Sequence, residues 1–393
     1  MIACLWRRCR ARTNCVGTGF FVLQERRARR ARGIDQAAHF VTNKLSSALA
    51  AYAGKCILIT GAGGYIGAAL TAALAASAPR FFVLLDNSEQ NLHELDMALR
   101  ERGDAVYAAI LGDVCDAGLL EESLRRYRPE IIFHAAACKH VPLTERNPLA
   151  AMRTNAIGTW RLARAAARGG IEKVLLISTD KAVKPANVMG ATKRVAELVR
   201  ERLRGGAMQL QAARLGNVLG SPGSVAPLFA RQIARGGPVT VTHADAERYF
   251  FTLDETVEII LRAARLGPGT FIPKLPPAMK ITGLAERMIR ASRNEKSGEI
   301  AVNFTEMRPG DKLREEFLND GESAEETEDE RLLRVRGLKM DEEKFAAAMW
   351  LLEEFVEQRN LRAAMEILCE LEPGYRPGEA LLQMVRDNSE TKA

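Results

Sequence analysis

The sequence predicts a doubly wound α/β protein with a smaller α+β lobe after it and helices at its C-terminal end. Three observations predict this class. Between residues 55 and 218 short apolar runs alternate with amphipathic stretches. A glycine-rich turn follows the first apolar run directly. Beyond residue 220 the alternation gives way to Gly and Pro punctuation, and helical periodicity returns near residue 341. Repeated strand–helix units with short connections pack as a parallel sheet with right-handed crossovers and a helix layer on each face.

The elements follow in order. Lys55–Thr60 (KCILIT) is continuously apolar, as a strand covered on both faces requires. A helix then runs through Leu70 and Leu74. Arg80–Asp86 (RFFVLLD) is the second strand, and a helix covers Glu89–Arg100. Ala105–Gly112 is the third strand, followed by a helix over Leu119–Tyr127. Glu130–Ala137 (EIIFHAAA) is the fourth strand, and one helix is expected from Pro148 to Arg168, with proline at a permitted first-turn position. Lys173–Thr179 (KVLLIST) is the fifth strand, Met189–Leu203 a helix and Gln209–Val218 the sixth strand. Short strands Val239–Thr242 and Thr270–Pro273 and helices near Asp254–Ala264 and Ile281–Ser292 form the second lobe. Residues 318–330 (LNDGESAEETEDE) read as an exposed acidic loop. In the last segment Phe345, Met349, Leu352, Phe355 and Val356 share one helix face. The expected domains are 1–45, a basic extension; 50–220, the parallel sheet; 221–317, the second lobe; and 318–393, the acidic loop and terminal helices.

Composition bounds the function. The 393 residues are 47% hydrophobic and 27% charged, which is globular. Residues 1–33 hold nine Arg against one acid, Glu25, a charge of +8, so the rest of the +7 chain stands at −1. A neutral body does not track phosphates along a nucleic acid. The Arg-rich, acid-poor tail suits a leader or a peripheral membrane contact, and equally a solvated extension. No run of about 18 apolar residues occurs, so no membrane-spanning helix is expected. Seven cysteines (Cys4, Cys9, Cys15, Cys56, Cys115, Cys138 and Cys369) include no C-x-x-C pair. Neither a metal site nor a disulfide framework follows, and a reducing cytoplasm fits.

Ligands of doubly wound sheets bind beyond the carboxyl ends of the strands, near residues 60, 86, 113, 137 and 179 here. After the first strand come Gly61, Gly63, Gly64, Tyr65, Ile66 and Gly67, with Gly61, Gly64 and Gly67 spaced G-x-x-G-x-x-G and opening a helix. A turn without Cβ atoms lets the backbone approach a pyrophosphate, and the helix N–H groups face the anion. This is a Rossmann dinucleotide fingerprint. Asp86 ends the next strand 19 residues after Gly67. Its carboxylate accepts from ribose hydroxyls and repels a 2′-phosphate, which favours NAD over NADP. Asp113 ends the third strand, where it suits an adenine amino group or a helix cap.

After the fifth strand come Ser178, Thr179, Asp180 and Lys181, then Met189 and Lys193 in VMGATKR. Here the chain resembles the extended short-chain dehydrogenase/reductases that act on nucleotide sugars, with Lys193 at their lysine position and Met189 where their tyrosine is expected. The polysaccharide-biosynthesis branch of nucleotide-sugar 4,6-dehydratases carries that Met and the Thr-Asp-Lys. STDKAVKPANVMGATKR, HAAACKHVPLTERNP, RLGNVLGSPGSVAPLF, GGPVTVTHADAERYFFT and MRPGDKLREE all look like that branch, over residues 50–377.

The resemblance implies an NAD-dependent enzyme converting a UDP-N-acetylhexosamine, such as UDP-N-acetylglucosamine, to its 4-keto-6-deoxy form for glycan synthesis, retaining at C5. C4 is oxidised, water is eliminated across C5–C6, and the hydride returns to C6. It implies Asp180 as acid for the C6 oxygen, Lys181 as C5 base, Thr179 on the C4 hydroxyl and Lys193 on the nicotinamide ribose. Asp180 must then be protonated and Lys181 neutral, and burial favours both. Val114, Ala135 and Ala136 join the cofactor contacts. Lys139, His140 and Asn155 border the sugar, and Arg214, Asn217, Ser221, Arg248 and Arg308 serve the nucleotide end. Phe229 and Val241 flank a pyrimidine or pack a core. The second lobe becomes a substrate lobe, and a homo-oligomer is expected. Two other readings stand beside this one. One is an epimerase using the same C4 oxidation. The other is an inactive cofactor-binding regulator, because a thioether at Met189 does no acid–base work.

Overall fold

A computed structural model describes residues 49–103, 105–202, 207–292, 300–337, 341–372 and 374–390. The basic extension and its three cysteines lie outside the described residues. The parallel strands are β1 (Cys56–Thr60), β2 (Phe81–Asp86), β3 (Tyr107–Leu111), β4 (Ile131–His134), β5 (Lys173–Thr179), β6 (Gln209–Leu215) and, farther along, β11 (Gly269–Pro273). They stand in the order β11-β6-β5-β4-β1-β2-β3. The chain leaves β1 toward β2 and β3, then returns to β4 on the other side. The strand order therefore reverses between β1 and β4, the switch point at whose carboxyl ends such sheets bind their ligands.

Both faces of the sheet are covered, which explains the continuous apolar runs. On one face α1 (Tyr65–Ala75), α2 (Glu89–Arg102) and, later, α8 (Leu253–Ala263) pack against Ile57, Ile59, Phe82, Leu84 and Phe133. On the other, α3 (Ala117–Tyr127), α5 (Gly158–Arg168) and α6 (Val188–Arg202) cover Leu58, Val83, Leu85 and Ile132. A short α4 (Val141–Arg146) precedes α5. The helix expected over 148–168 is interrupted: after Pro148–Ala151 the backbone widens into a π-turn over Met152–Ile157. Such turns expose one residue's polar groups in a new direction, and Asn155 sits within this one.

Past β6 the chain forms β7 (Asn217–Val218), α7 (Val225–Ala234), β8 (Val239–Val241), β9 (Glu247–Arg248) and β10 (Phe250–Phe251). After β11 come β12 (Met279–Lys280), α9 (Ile281–Ser292) and β13 (Val302–Phe304). A separate small core of Phe229, Val239, Val241, Ala246, Ile281, Ala285 and Ile289 holds this lobe together. Phe229 and Val241 are buried within it, so packing accounts for them. The strand over 269–273, read with the second lobe, instead pairs with β6 in the main sheet. The acidic stretch also departs from a loop. Ser323–Glu326 is β14, an edge strand antiparallel to β15 (Leu332–Arg336), which pairs antiparallel with β11. All four residues of β14 are exposed, and charged exposed edges resist further strand pairing.

The terminal helices α10 (Glu342–Glu357) and α11 (Leu361–Leu371) form a hairpin, and α12 (Glu379–Glu390) follows. Phe345, Met349, Leu352 and Val356 are buried against α5 and α6, as their spacing predicts, and Phe355 is partly buried. Trp160 meets Phe345 edge-on, and Arg164 lies 4.1 Å over the Trp350 ring.

Candidate active site

The glycine turn between β1 and α1 is built without room for side chains. Gly61 has φ +66°, and a Cβ there would stand 2.7 Å from Ala136 N. A Cβ on Gly63 would meet the Asn91 backbone at 2.6 Å, and one on Gly67 would collide with Gly61 O. The turn thus lies flat against Ala135 and Ala136 after β4 and against Asn91 in the first turn of α2. The N-cap of α1 is Gly64, which offers no side-chain cap, and its first turn holds no acid. An uncapped helix start behind a flat turn fits a pyrophosphate.

Asp86 is buried at the rim of this turn, accepting from Gly63 N at 2.9 Å and Ser88 N at 2.8 Å. Each oxygen keeps a further lone pair, so the carboxylate is oriented rather than used up. Asp113 is more committed. It accepts from Cys115 N and forms a 2.6 Å ion pair with Arg153. Burial raises its pKa, but these partners outweigh burial and hold it below the usual carboxylate range. The Val114 side chain is buried in the core, and Tyr65 donates to Leu219 O.

At the end of β5 the chain turns into a single helical turn over Asp180–Ala182. Asp180 is fully buried there. Its Oδ1 accepts from Thr179 Oγ1 at 2.9 Å and Lys181 Nζ at 3.0 Å, while Oδ2 has no hydrogen-bond partner. Burial raises the Asp180 pKa, and the nearby Glu315 adds to the rise against the pull of Lys181. Lys181 departs from expectation. Burial pulls its ammonium pKa down, but Asp180 and Glu315 outweigh burial, and it stands above the ordinary lysine value. Its Nζ also donates to Asn217 Oδ1 at 2.9 Å. Asn217 therefore lies beside the Asp–Lys couple.

Behind the couple, Lys193 is buried and donates to Ile177 O at 2.6 Å; burial lowers its pKa to about 8, against a smaller opposing effect of Glu197. Met189 is buried on the same helix. Asn155 is buried, receives Cys138 N and donates to Cys138 O and Thr192 Oγ1. It braces the loop after β4. That loop meets the one after β7: Lys139 donates to Pro222 O at 3.1 Å, and the His140 ring lies where a Gly223 Cβ would be. Ser221 closes the turn beside them, accepting from Ser224 N.

One predicted nucleotide contact is corrected by what surrounds it. Arg214 is fully buried, and its guanidinium is consumed by Glu197, Glu322 and Phe317 O. No donor is left for a diphosphate, because a guanidinium has only five N–H groups. Arg308 pairs with Asp311 and is largely exposed. Arg248 does lie near the couple, with its guanidinium donating to the carbonyls of Glu247, Lys312 and Leu313.

Sequence reasoning missed two residues. Glu315 lies in the quoted MRPGDKLREE, but adjacent Glu315 and Glu316 gave no sign of which is buried; Glu315 is, and Glu316 pairs outside with Lys184. His134, hidden in an apolar strand, bridges Thr60 and Thr159. Burial, then the charge of Lys193, lowers its pKa to about 3, so it is neutral. Among the described residues no cluster of His, Cys, Asp and Glu suits a metal ion, and no helix is long and apolar enough to cross a membrane.

Residues 57–337 match the family described as polysaccharide biosynthesis protein. The chain belongs to this family. It is 42% identical over 274 residues to the probable polysaccharide biosynthesis protein EpsC of Bacillus subtilis, covering 68% of this chain but 46% of that protein. The chain thus spans less than half the length of that relative. It is 31% identical over 278 residues to the UDP-N-acetylglucosamine 4,6-dehydratase (inverting) of Campylobacter jejuni, covering 69% of this chain and 79% of that one. The fold is that of the extended short-chain dehydrogenase/reductases. The dTDP-glucose 4,6-dehydratase of Streptomyces venezuelae, solved with NAD, superposes with a TM-score of 0.56 at 23% identity, over 66% of this chain and 87% of that one.

Proposed function

We propose that this polysaccharide biosynthesis protein is an NAD-dependent nucleotide-sugar 4,6-dehydratase acting on a UDP-N-acetylhexosamine. The observation that carries this reading is Asp180: a wholly buried carboxyl, joined to Lys181 through one oxygen and unpartnered at the other. An acid and an amine side by side at the carboxyl end of a central strand suit an elimination, which needs one proton removed and another given. A C4 epimerisation does not use such a pair at C5 and C6.

Gly61, Gly63 and Gly67, the α1 N-terminus, Asp86 and Lys193 would hold the dinucleotide. Bound there, NAD supplies reversible oxidation at C4 of the sugar. In a 4-keto sugar the C5 proton is acidic. Lys181, as the free amine, takes it; the C5–C6 double bond forms as the C6–O bond breaks, and Asp180 protonates the departing oxygen to give water. Lys181 then holds an extra proton and Asp180 lacks one. On hydride return to C6 the Lys181 ammonium gives a proton back to C5. The proton released from the C4 hydroxyl at the oxidation replaces the one Asp180 gave up, so both groups end as they began, linked by their 3.0 Å contact. Thr179 orients Asp180 through its 2.9 Å hydrogen bond.

The test is incubation of the purified protein with UDP-N-acetylglucosamine in deuterated water, read by mass and NMR. Loss of one water with solvent deuterium at C5 supports the reading. Unchanged mass with inverted C4 selects an epimerase. No conversion of UDP- or TDP-hexoses, with NAD still bound, selects a cofactor-binding regulator.

A further inference from the structure

The segment from Arg308 to Asn319 crosses from the second lobe onto the loop after β5 and is fastened there at several points. Asn187 Nδ2 donates to Gly310 O at 2.8 Å, Lys312 Nζ to Val183 O at 2.6 Å, and Lys184 N to Asn319 Oδ1 at 2.6 Å. Lys184 Nζ also pairs with Glu316 at 2.8 Å. In the middle of this strap is Glu315, whose side chain is only 3% exposed. Three cations converge on its carboxylate. Lys181 Nζ lies 3.6 Å and Arg248 Nε 3.8 Å from Oε1, and Lys312 Nζ lies 3.4 Å from Oε2. A carboxylate so far from solvent is out of place in a strap unless it has a charge to serve.

We propose that Glu315 is a positioning residue for proton transfer at Lys181: delivered by the strap, it holds the Lys181 amine between two carboxyls and raises the amine's affinity for a proton. This rests on the reading of Lys181 as the group that removes a proton. Lys181 Nζ has three directions of donation. Asp180 takes one and Asn217 a second, and Glu315 lies along the remaining side. The titratable and charged groups facing Lys181 are Asp180 from the end of β5, Glu315 from the strap and Arg248 from β9; Lys312 competes for Glu315 from the strap itself. With Glu315 in place, Lys181 is a stronger base toward the sugar's C5 proton, because a carboxylate next to an amine stabilises the ammonium that forms. Lys312 and Arg248 temper this effect by sharing the carboxylate, which keeps part of Lys181 available as free amine.

The experiment measures the amine directly. Lys181 is 21% exposed, so brief treatment of the full-length protein with acetic anhydride at pH 9 labels it in proportion to its free-amine fraction, read by peptide mass spectrometry. An opposite charge at this range moves a pKa by about 1–3 units, so Glu315→Gln should speed labelling of Lys181 by about tenfold or more. Glu315→Asp should restore part of the slow rate. Lys312→Met, which frees Glu315 for Lys181, should slow labelling below wild type. In turnover, Glu315→Gln should lower kcat and move the rising limb of its pH profile to lower pH, while KM for the UDP-sugar changes less than twofold. Labelling rates that do not move in either Glu315→Gln or Lys312→Met would overturn the proposal, even if kcat falls. Moved labelling rates in a protein that dehydrates no sugar would leave the Glu315–Lys181 coupling standing and overturn the dehydratase reading alone.

Discussion

Replacing Arg214 by Met should damage the fold and leave the ligand sites alone. The volume is nearly kept, so the loss is electrostatic. Arg214 is fully buried and its partners Glu197 and Glu322 are 0% and 2% exposed. For Glu322, burial raises the pKa, but the Arg214 hydrogen bonds and charge outweigh it and hold the group at about 2 against an ordinary 4.5. That difference corresponds to about 3 kcal/mol, and removing one partner of a buried ion pair costs about 3–5 kcal/mol. Arg194, 3.2 Å from Glu197 and 3.0 Å from Glu322, compensates part of the loss, which places the expectation near about 3 kcal/mol. The sign with pH follows. A carboxyl whose folded pKa is depressed contributes its full stability above the unfolded value and loses it as pH falls through the folded one. The gap between wild type and variant should be full at pH 7 and should close between pH 4.5 and about 2. Urea unfolding across that range measures it, with calorimetric UDP-sugar binding at pH 7 as the companion assay. Undiminished stability together with weakened UDP-sugar binding would refute the reasoning and return Arg214 to the ligand site.

Three further outcomes are expected. Gly67→Ala should abolish NAD binding, because its Cβ would collide with Gly61 O and force the turn open; fluorescence titration with NADH reads this, and unchanged affinity would count against the turn as the dinucleotide site. Lys181→Ala and Asp180→Asn should each reduce dehydration by about 100-fold or more with NAD affinity retained, as removal of a general base or acid does; loss of NAD binding instead would refute their assigned roles. Lys193 is held by burial at about 8 against 10.5, so below pH 8 its charge destabilises the fold, and that penalty is relieved as pH rises toward 10.5; Lys193→Met should raise the melting temperature at pH 7 and flatten its pH dependence across this window, while an unaltered profile would show the ammonium to be fully compensated.

The sequence by itself determined the parallel strands, the glycine turn and the joint placement of Asp180 and Lys181 at one strand end. These are local matters. A continuous apolar run declares a strand covered on both faces, Gly61 and Gly67 mark a turn that tolerates no Cβ, and Asp180 and Lys181 are neighbours in the chain, so one strand end delivers both. What only the tertiary structure decided is where the long charged side chains end. Arg214 was legible as a diphosphate contact until Glu197, from α6, and Glu322, ahead of β14, closed around it. The acidic stretch read as a loop because nothing within it announces pairing with β15, and β15 with β11. Lys181 was expected neutral because the role of C5 base requires it and burial favours it, whereas Glu315, more than a hundred residues away in the chain, could not be foreseen beside it. Burial and backbone geometry act through nearest neighbours along the chain. The charge on a buried amine is set by whichever carboxylates the fold carries to within a few ångströms, and that distance is a property of the folded chain alone.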